Sequence, residues 1–267
     1  MSALISSYDA VFFDLDGVIY EGNEPLDTAV ATLQQLYQDK VKIAYITNNA
    51  SRSAHDVAEQ LKNFGIPASA QEVISSPDVA MNMLKKHLAP ASKVLIVGTQ
   101  HLSDCVAETG FTPVRTAKEK PDAVLQGFNP ETNWRILAEA CFALQQGAQW
   151  FATNADSTLP QAEGIAPGNG AFLDLIQKTC NVAAPRVAGK PEPEIFKYAM
   201  EKIAAKNPVM IGDRLDTDIL GGNNAGIDTI LVTTGVNTAA DARAAEPDLK
   251  PNYIISTLSE LLSDAAS

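Results

Sequence analysis

Two aspartates stand two residues apart at the end of an apolar run, in the stretch "AVFFDLDGVIYEG" at residues 10–22. Burying a carboxylate costs free energy unless the group is paired or bound to a cation. The run Val11-Phe12-Phe13 predicts a buried parallel strand, and ligands bind beyond the carboxyl ends of such strands. Asp14 and Asp16 therefore stand where a site is expected. The alternative is a strand-end turn in which Asp16 caps the next segment.

Two later segments offer hydrogen-bond donors to an anion. The stretch "ITNNAS" at residues 46–51 follows another apolar strand and supplies the Thr47 hydroxyl and consecutive backbone N–H groups at a helix start. An ordinary helix cap would have the same sequence. The stretch "AGKPEP" at 188–193 holds Lys190 between glycine and proline, where a surface turn is the alternative. A P-loop is excluded because its upstream glycine and downstream Ser or Thr are missing.

The fourth chemical stretch is "GDRLDTD" at residues 212–218, with three carboxylates in six residues after an apolar strand. An acidic helix start would explain one or two of them. Together with Asp14 and Asp16, however, Asp213 supplies hard oxygen ligands of the kind that Mg²⁺ prefers. The hydroxyl of Thr47 and the ammonium of Lys190 supply donors for a phosphoryl group.

The elements that must position these residues follow an α/β rhythm, in which short β-rich runs alternate with helical stretches. Helices are predicted within 25–40 and 53–65, where apolar residues recur at helical spacing. The predicted strands are AVFFDL (10–15), KIAYIT (42–47), KVLIVG (93–98), DAVLQG (122–127), QWFATN (149–154), NPVMIGD (207–213) and TILVTTG (229–235).

Composition limits the class of protein. The 267 residues are 46% hydrophobic, enough to fill one large core or two smaller ones, and the formal net charge of −12 argues against nucleic acid as a partner. Asp, Lys, Gly or Pro interrupts every apolar run, so no membrane span is expected. The three cysteines form no close-spaced pair and no charged-then-apolar leader opens the sequence, which predicts a cytoplasmic protein.

The four chemical stretches appear in the order that characterises one family. "DLDG", "TNNAS", "GKPEP" and "GDRLDTD" resemble the motifs of the haloacid dehalogenase (HAD) superfamily of phosphatases, over nearly all of the chain. The stretch "ATNADSTLPQAEGIAPGNGAF" at 152–172 is similar to the substrate-facing segment of the NagD-like sugar and nucleotide phosphatases within it. Ala155, where relatives often carry proline, and Asn169 depart from that pattern, and both bear on substrate choice rather than on the chemistry.

The resemblance implies a Rossmann-like HAD core with a parallel sheet and a smaller inserted α/β cap. Relatives carry the cap after the first motif or after the second. Here 33 residues separate Asp14 from Thr47, room for one crossover helix, whereas 143 separate Thr47 from Lys190. With weak boundary signals at residues 75–77 and 183–185, the expected domains are a core of 1–77 and 184–267 and a class IIA cap of 78–183.

By the same resemblance, each residue of the motifs receives a role. Asp14 is the nucleophile that forms an aspartyl-phosphate, and Asp16 is the general acid that protonates the leaving oxygen and then takes a proton from water. Mg²⁺ is held by Asp14, the Asp16 backbone carbonyl and Asp213. The expected substrate contacts are Thr47, Asn48, Asn49 and Lys190 for the phosphoryl group and Asn154 and Asp156 for the leaving group, with Asp218 orienting Lys190.

The expected activity is Mg²⁺-dependent hydrolysis of a small phosphate monoester: a sugar phosphate, glycerol phosphate, phosphoglycolate or nucleoside monophosphate. A phosphotransferase or mutase on the same scaffold is the main alternative, and a noncatalytic regulator is disfavoured because the nucleophile is present. The expected partner is a small phosphorylated metabolite, with no nucleic acid and no membrane. A homodimer formed through the cap is compatible with the family.

Overall fold

A computed structural model of the chain describes residues 4–50, 52–161 and 163–262. The chain divides into two compact units. The core unit takes the residues up to Thr47, then Ser53–Ile74, and the chain from Lys190 onward. The insert unit takes Asn48–Arg52 and Ser75–Gly189.

The first part of the core unit alternates strands and helices. A 3-10 turn at Leu4–Ser7 precedes these elements, which are β1 (Ala10–Phe13), β2 (Tyr20–Glu21), β3 (Glu24–Pro25), α1 (Ala29–Gln38), β4 (Lys42–Thr47), α2 (Ala54–Asn63) and β5 (Val73–Ser75). Strands β2 and β3 form a small antiparallel hairpin. A capping box between Ser53 and Asp56 fixes the start of α2, because each side chain accepts from the other residue's backbone.

The insert unit has the same α/β alternation. Its elements are α3 (Ser76–His87), β6 (Lys93–Val97), α4 (Gln100–Glu108), β7 (Thr112–Val114), a 3-10 turn at Ala117–Glu119, β8 (Ala123–Gln126), α5 (Trp134–Gln145), β9 (Gln149–Ala152), β10 (Thr158–Gln161), β11 (Gly164–Pro167), α6 (Asn169–Cys180) and β12 (Arg186–Val187). Five of these strands form a parallel sheet in the order β12-β9-β8-β6-β7, and β10 and β11 form an antiparallel hairpin.

The chain then returns to the core unit. Its remaining elements are α7 (Pro193–Ile203), β13 (Pro208–Gly212), a π-helical turn (Leu215–Ile219), α8 (Leu220–Ala225), β14 (Asp228–Val232), α9 (Ala239–Ala244), a 3-10 turn (Pro247–Leu249), β15 (Tyr253–Ile255) and a 3-10 turn (Leu258–Leu262). The core sheet has six strands in the order β15-β14-β13-β1-β4-β5, and β1 pairs in parallel with both β13 and β4.

Each unit has a hydrophobic core of its own. In the core unit, apolar side chains of β1, β4, β13 and β14 pack with those of α1 and α2. In the insert unit, apolar side chains of β6, β8 and β9 pack against α5 and α6. All four residues of β1 are buried, as expected for a central parallel strand.

The predicted α/β class and the seven predicted strands are confirmed. Strand β4 has the predicted bounds, β14 begins one residue before its predicted run, and the other strand limits lie at most three residues inside the predicted ones. Both predicted helices form, although α1 begins at Ala29 because Glu24 and Pro25 pair with β2 instead. No helix within residues 4–50, 52–161 and 163–262 is long and apolar enough to cross a membrane.

The limits of the two units differ from the expected domain limits of 78 and 183. Ser75 caps α3, so the insert unit begins three residues earlier, at the cap itself. At the other end, Arg186 and Val187 pair with Phe151 and Ala152 of β9, which extends the insert unit to Gly189. The short segment Asn48–Arg52 also belongs to the insert unit.

Candidate active site

Three neighbouring strands of the core sheet end in polar residues. Asp14 follows β1, Thr47 is the last residue of β4, and Asp213 follows β13. Because β1 lies between β4 and β13 and pairs in parallel with both, the three carboxyl ends share one edge of the sheet. The backbone N–H of Asp14 continues the ladder by donating to the Ile211 carbonyl at 2.9 Å. The sheet therefore gathers side chains that are far apart in sequence.

Lys190 lies at the centre of this group. Its side chain is 3% exposed, and its ammonium forms ion pairs with Asp14 and with Asp218, the latter at 2.7 Å. It also donates to the Ile46 carbonyl at 3.2 Å. Two ion pairs and a carbonyl acceptor offset much of the cost of removing this ammonium from water.

Asp218 reaches Lys190 because of the backbone that carries it. It lies in the π-helical turn Leu215–Ile219 and is fully buried, and its second carboxylate oxygen accepts from the Arg214 N–H at 3.1 Å. Gly212 makes room for it, since a Cβ at that position would overlap the Asp218 side chain. Single turns of π-helix occur often at functional sites.

Asp213 is buried on the same edge. The Val236 N–H donates a hydrogen bond to Asp213 Oδ2 at 2.7 Å. The Asp213 carbonyl also accepts from the Asn237 N–H at 3.1 Å. Asp213 is thus held through both its carboxylate and its backbone.

Burial raises the pKa of each of the three carboxylates, and neighbouring negative charges add to the rise. Burial raises the pKa of Asp14, against the opposing effect of Lys190. Burial, with the charges of Asp218 and Asp14, raises the pKa of Asp213 to about 7. Burial likewise raises the pKa of Asp218 to about 6, although Lys190 opposes the shift. For Lys190 burial acts in the opposite direction, but the two aspartates outweigh it and its pKa lies above the ordinary value.

These residues fit a divalent cation. Carboxylate oxygens of Asp14, Asp213 and Asp218 all lie within 4.8 Å of one another. When ionised, the three carboxylates and one ammonium carry two net negative charges, and the charges of Asp218 and Asp14 add to the effect of burial on the pKa of Asp213. Hard oxygen ligands and a negative field are what Mg²⁺ requires. The cluster therefore suits the cation that the sequence predicts.

Asp16 and Thr47 lie in the core unit as well. Asp16 is exposed and its backbone forms a bridge with Tyr20, so the turn after β1 is closed. The carboxylate cluster does not include Asp16, whose predicted contribution to the metal is its backbone carbonyl. Thr47 is buried at the end of β4. Their roles remain predictions.

The other predicted substrate contacts fall in the insert unit. The Asn48 Nδ2 donates to the Asp156 carboxylate at 3.1 and 3.3 Å, and the Asn154 Nδ2 donates to the Asn48 carbonyl at 2.9 Å. The Asn154 carbonyl accepts from Asn169 at 2.7 Å. Asn154 is buried and Asn49 is exposed. Asn48, Asn154 and Asp156 thus form one hydrogen-bonded group, whose contact with substrate stays a prediction.

Sequence reasoning missed the loop after β14. The donor to Asp213 is the backbone N–H of Val236, and a backbone group has no signature of its own in the sequence. The one available signal is Gly235, a glycine shortly after a buried strand, where a close backbone approach is common.

Two family models match the chain. A model of haloacid dehalogenase-like hydrolases matches residues 11–112, and a model of HAD-hydrolase-like proteins matches residues 187–261. The four chemical stretches fall within these two ranges.

Named relatives cover nearly the whole chain. The chain is 42% identical over 265 residues to a D-glycerol 3-phosphate phosphatase of Mycobacterium tuberculosis, a match spanning 99% of this chain and 74% of that protein. It is 32% identical over 262 residues to an acid sugar phosphatase of Staphylococcus haemolyticus, spanning 97% of each. Among solved structures, a glycerol phosphate phosphatase of M. tuberculosis in complex with magnesium superposes with a TM-score of 0.93 at 42% identity, covering 99% of this chain and 80% of that one.

The first prediction concerns metal binding and stability. Mg²⁺ should raise the unfolding temperature of the wild-type protein, since a cation at a hundred times its dissociation constant stabilises the fold by about 2.7 kcal/mol. Asp213→Asn should lose most of that rise because it removes a charged ligand. Without metal and above pH 7, this variant should be at least as stable as wild type, because burial raises the pKa of Asp213 to about 7 and makes its ionised form unfavourable in the folded protein.

Differential scanning calorimetry with and without Mg²⁺ makes this measurement. Asp248→Asn, at an exposed position in the core unit, is the matched control and should respond to Mg²⁺ as wild type does. An undiminished rise in Asp213→Asn would show that Asp213 does not hold the cation.

Proposed function

This chain belongs to the haloacid dehalogenase-like hydrolases and is a Mg²⁺-dependent phosphatase of small phosphate monoesters, and we propose that it acts through an aspartyl-phosphate formed on Asp14. The observation that carries this proposal is the buried cluster in which the Lys190 ammonium pairs with both Asp14 and Asp218, beside Asp213. We further propose that the chain is NagD-like, with the insert unit as its cap.

Asp14 is suited to the role of nucleophile by its surroundings. It is the least buried carboxylate of the cluster, with 13% of its side chain exposed, so a substrate can approach it. Burial raises the pKa of Asp14, and its ion pair with Lys190 counters part of that rise. Attack on phosphorus forms a bond to the Asp14 carboxylate and breaks the bond to the leaving oxygen.

Asp14, Asp213 and the Asp16 carbonyl would hold Mg²⁺, which supplies positive charge that lets an anionic nucleophile and an anionic phosphoryl group approach. Lys190 offers further positive charge, and Asp218 holds its ammonium in place. The Thr47 hydroxyl and the Asn48 amide are proposed donors to the phosphoryl oxygens. In phosphoryl transfer, positioning and electrostatics supply most of the rate enhancement.

Asp16 is proposed to transfer the protons. Unlike the buried carboxylates of the cluster, it is exposed, so it can exchange a proton with the leaving oxygen and later with water. It protonates the leaving alcohol in the first step and accepts a proton from the attacking water in the second. The first step releases the alcohol. In the second, water attacks phosphorus, the bond to the Asp14 carboxylate breaks, and inorganic phosphate is released.

Glycerol phosphate is the first substrate to test. Support comes from the 42% identical relative, which is named a D-glycerol 3-phosphate phosphatase. Sugar phosphates are the second class to test, because a relative at 32% identity is named an acid sugar phosphatase. A screen would include phosphoglycolate and nucleoside monophosphates and would measure inorganic phosphate. A phosphorylated product without free phosphate would indicate the phosphotransferase or mutase alternative instead.

The remaining partner predictions stay proposals. A small phosphorylated metabolite is the proposed partner, with neither nucleic acid nor a membrane, and the cytoplasm is the proposed location. The homodimer through the insert unit draws support from exposed Trp134 and Phe142 on α5 and exposed Leu175 on α6. Large exposed apolar residues on neighbouring helices often mark a protein interface.

The second prediction tests the nucleophile. Asp14→Asn should reduce phosphate release to background, because an amide cannot form the acyl phosphate, while the fold persists because Lys190 keeps its pair with Asp218. Circular dichroism and steady-state phosphate release at saturating Mg²⁺ provide the two readouts. Asp39→Asn, at an exposed position, is the control. Substantial turnover by Asp14→Asn would contradict the assignment of Asp14 as the nucleophile. Full wild-type activity in excess chelator would contradict the requirement for a metal ion.

The third prediction tests the general acid. Asp16→Asn should slow hydrolysis of glycerol phosphate by about 10² to 10⁴-fold, because the leaving alkoxide then departs without a proton. With an activated aryl phosphate, whose leaving group has a low pKa, the same substitution should reduce the rate of the first step much less. The measurement is single-turnover kinetics on both substrates. Equal losses would argue that Asp16 does not donate the proton.

The fourth prediction tests the insert unit. Asp156→Ala should change the ranking of substrates more than it changes hydrolysis of a small aryl phosphate, because the cluster that handles the phosphoryl group belongs to the core unit. Values of kcat/KM for the screened esters give that ranking. Asp174→Ala, an exposed carboxylate on α6, is the matched control. A uniform loss across all esters, or no loss, would leave Asp156 with a structural role only.

A further inference from the structure

The loop after β14 contacts both Asp213 and the turn that carries Asp14 and Asp16. We propose that residues 234–237, here called the clasp loop, are a positioning element that sets Mg²⁺ affinity by fixing Asp213 relative to the Asp14–Gly17 turn. The inference rests on the proposed role of Asp213 as a metal ligand.

The first contact is with the carboxylate itself. The Val236 N–H donates to Asp213 Oδ2 at 2.7 Å, and the Asn237 N–H donates to the Asp213 carbonyl at 3.1 Å. These two bonds restrict both the side chain and the backbone of Asp213. A carboxylate whose oxygen is anchored to the backbone presents its other oxygen in a fixed direction.

The second contact is with the turn that carries Asp14 and Asp16. The Thr234 hydroxyl donates to the Gly17 carbonyl at 2.6 Å. Gly17 has a φ of +77°, so the turn depends on a conformation that favours glycine. The Thr234 side chain therefore ties the aspartate pair of the first strand to the same loop that holds Asp213.

The space around Asp213 explains why this loop carries a glycine. A Cβ on Gly235 would overlap the Asp213 carboxylate, and a Cβ on Gly17 would lie 2.6 Å from Asp213 Oδ2. The two glycines face the carboxylate so closely that neither position accepts a side chain without displacing it. The enclosure leaves Asp213 little freedom to adopt another rotamer.

The clasp loop also contacts the segment that carries Asp218. The Asn237 Oδ1 accepts from the Leu215 N–H at 2.9 Å, at the start of the π-helical turn that carries Asp218. One short loop thus contacts the segments of Asp14, Asp213 and Asp218. A cation with a strict coordination geometry requires a fixed placement of Asp14 relative to Asp213, and Asp218 holds the Lys190 ammonium beside them.

The test is isothermal titration calorimetry of Mg²⁺ into substrate-free protein. Gly235→Ala should weaken Mg²⁺ binding by about tenfold or more, the range typical when a group that orients a metal ligand is removed. Thr234→Val should weaken binding by a smaller factor, and Thr234→Ser, which keeps the hydroxyl, should restore it. Activity of Gly235→Ala should recover in part at high Mg²⁺, since the chemical groups are intact.

Gly226→Ala is the matched control. Gly226 has a φ of +73° and no atom within 4 Å of an added Cβ, so alanine there imposes backbone strain without touching Asp213. This variant should lose stability but bind Mg²⁺ as wild type does. Thermal unfolding of all variants checks that each is folded at the titration temperature.

The variant Asp213→Asn distinguishes an error in the proposed metal site from an error in the proposed role of the clasp loop. If this variant binds Mg²⁺ with wild-type affinity, the proposed metal site is wrong. If it loses Mg²⁺ affinity while Gly235→Ala and Thr234→Val both keep it, the metal site stands and the positioning role of the clasp loop is overturned.

Discussion

The buried ammonium of Lys190 is the interaction on which the rest of the site depends. Asp14, Asp213 and Asp218 bring carboxylate oxygens within 4.8 Å of one another in a region largely removed from water. Like charges at that distance repel strongly, and burial adds a further cost to each. Lys190 pairs with two of the three, so Asp14 and Asp218 can share one buried edge of the sheet. Removing one partner of such a cluster would leave an uncompensated charge.

The negative charge that Lys190 leaves unbalanced favours a cation at this site. Burial, with the charges of Asp218 and Asp14, raises the pKa of Asp213 to about 7, and a divalent cation would offset that repulsion. The folded protein is therefore expected to bind a divalent cation at these carboxylates. The contacts of the clasp loop place Asp213 in one orientation, so that binding a cation would require little rearrangement.

Much of this site could be predicted from the sequence because it lies at strand ends. Asp14 and Asp213 directly follow short apolar runs, and a parallel sheet brings such positions to one edge whatever their separation along the chain. The burial of Asp218 could not be predicted, since it depends on a π-helical turn whose sequence reads as an ordinary acidic helix start. The Val236 contact was equally hidden, because any residue supplies a backbone N–H.

The limits of the two compact units differ from the expected domain limits for a related reason. Residues 183–185 mark a turn, but Arg186 and Val187 still pair with β9, and only a hydrogen-bonded partner far away in sequence reveals that strand. Similarly, "TNNAS" gives no sign that Asn48 donates to Asp156, 108 residues later. Contacts between distant residues decide both features, and local sequence signals do not encode them.

Phosphorylation of Asp14 during turnover can be measured directly. Enzyme mixed with glycerol phosphate and Mg²⁺ can be quenched in acid within one turnover and reduced with borohydride, which converts an aspartyl-phosphate to homoserine. Peptide mass spectrometry then locates the modified residue. We expect homoserine at position 14 and unmodified aspartate at positions 16, 213 and 218. Homoserine at one of those other positions, or phosphate release with no modified residue at any time before completion, would contradict the assignment of Asp14 as the nucleophile.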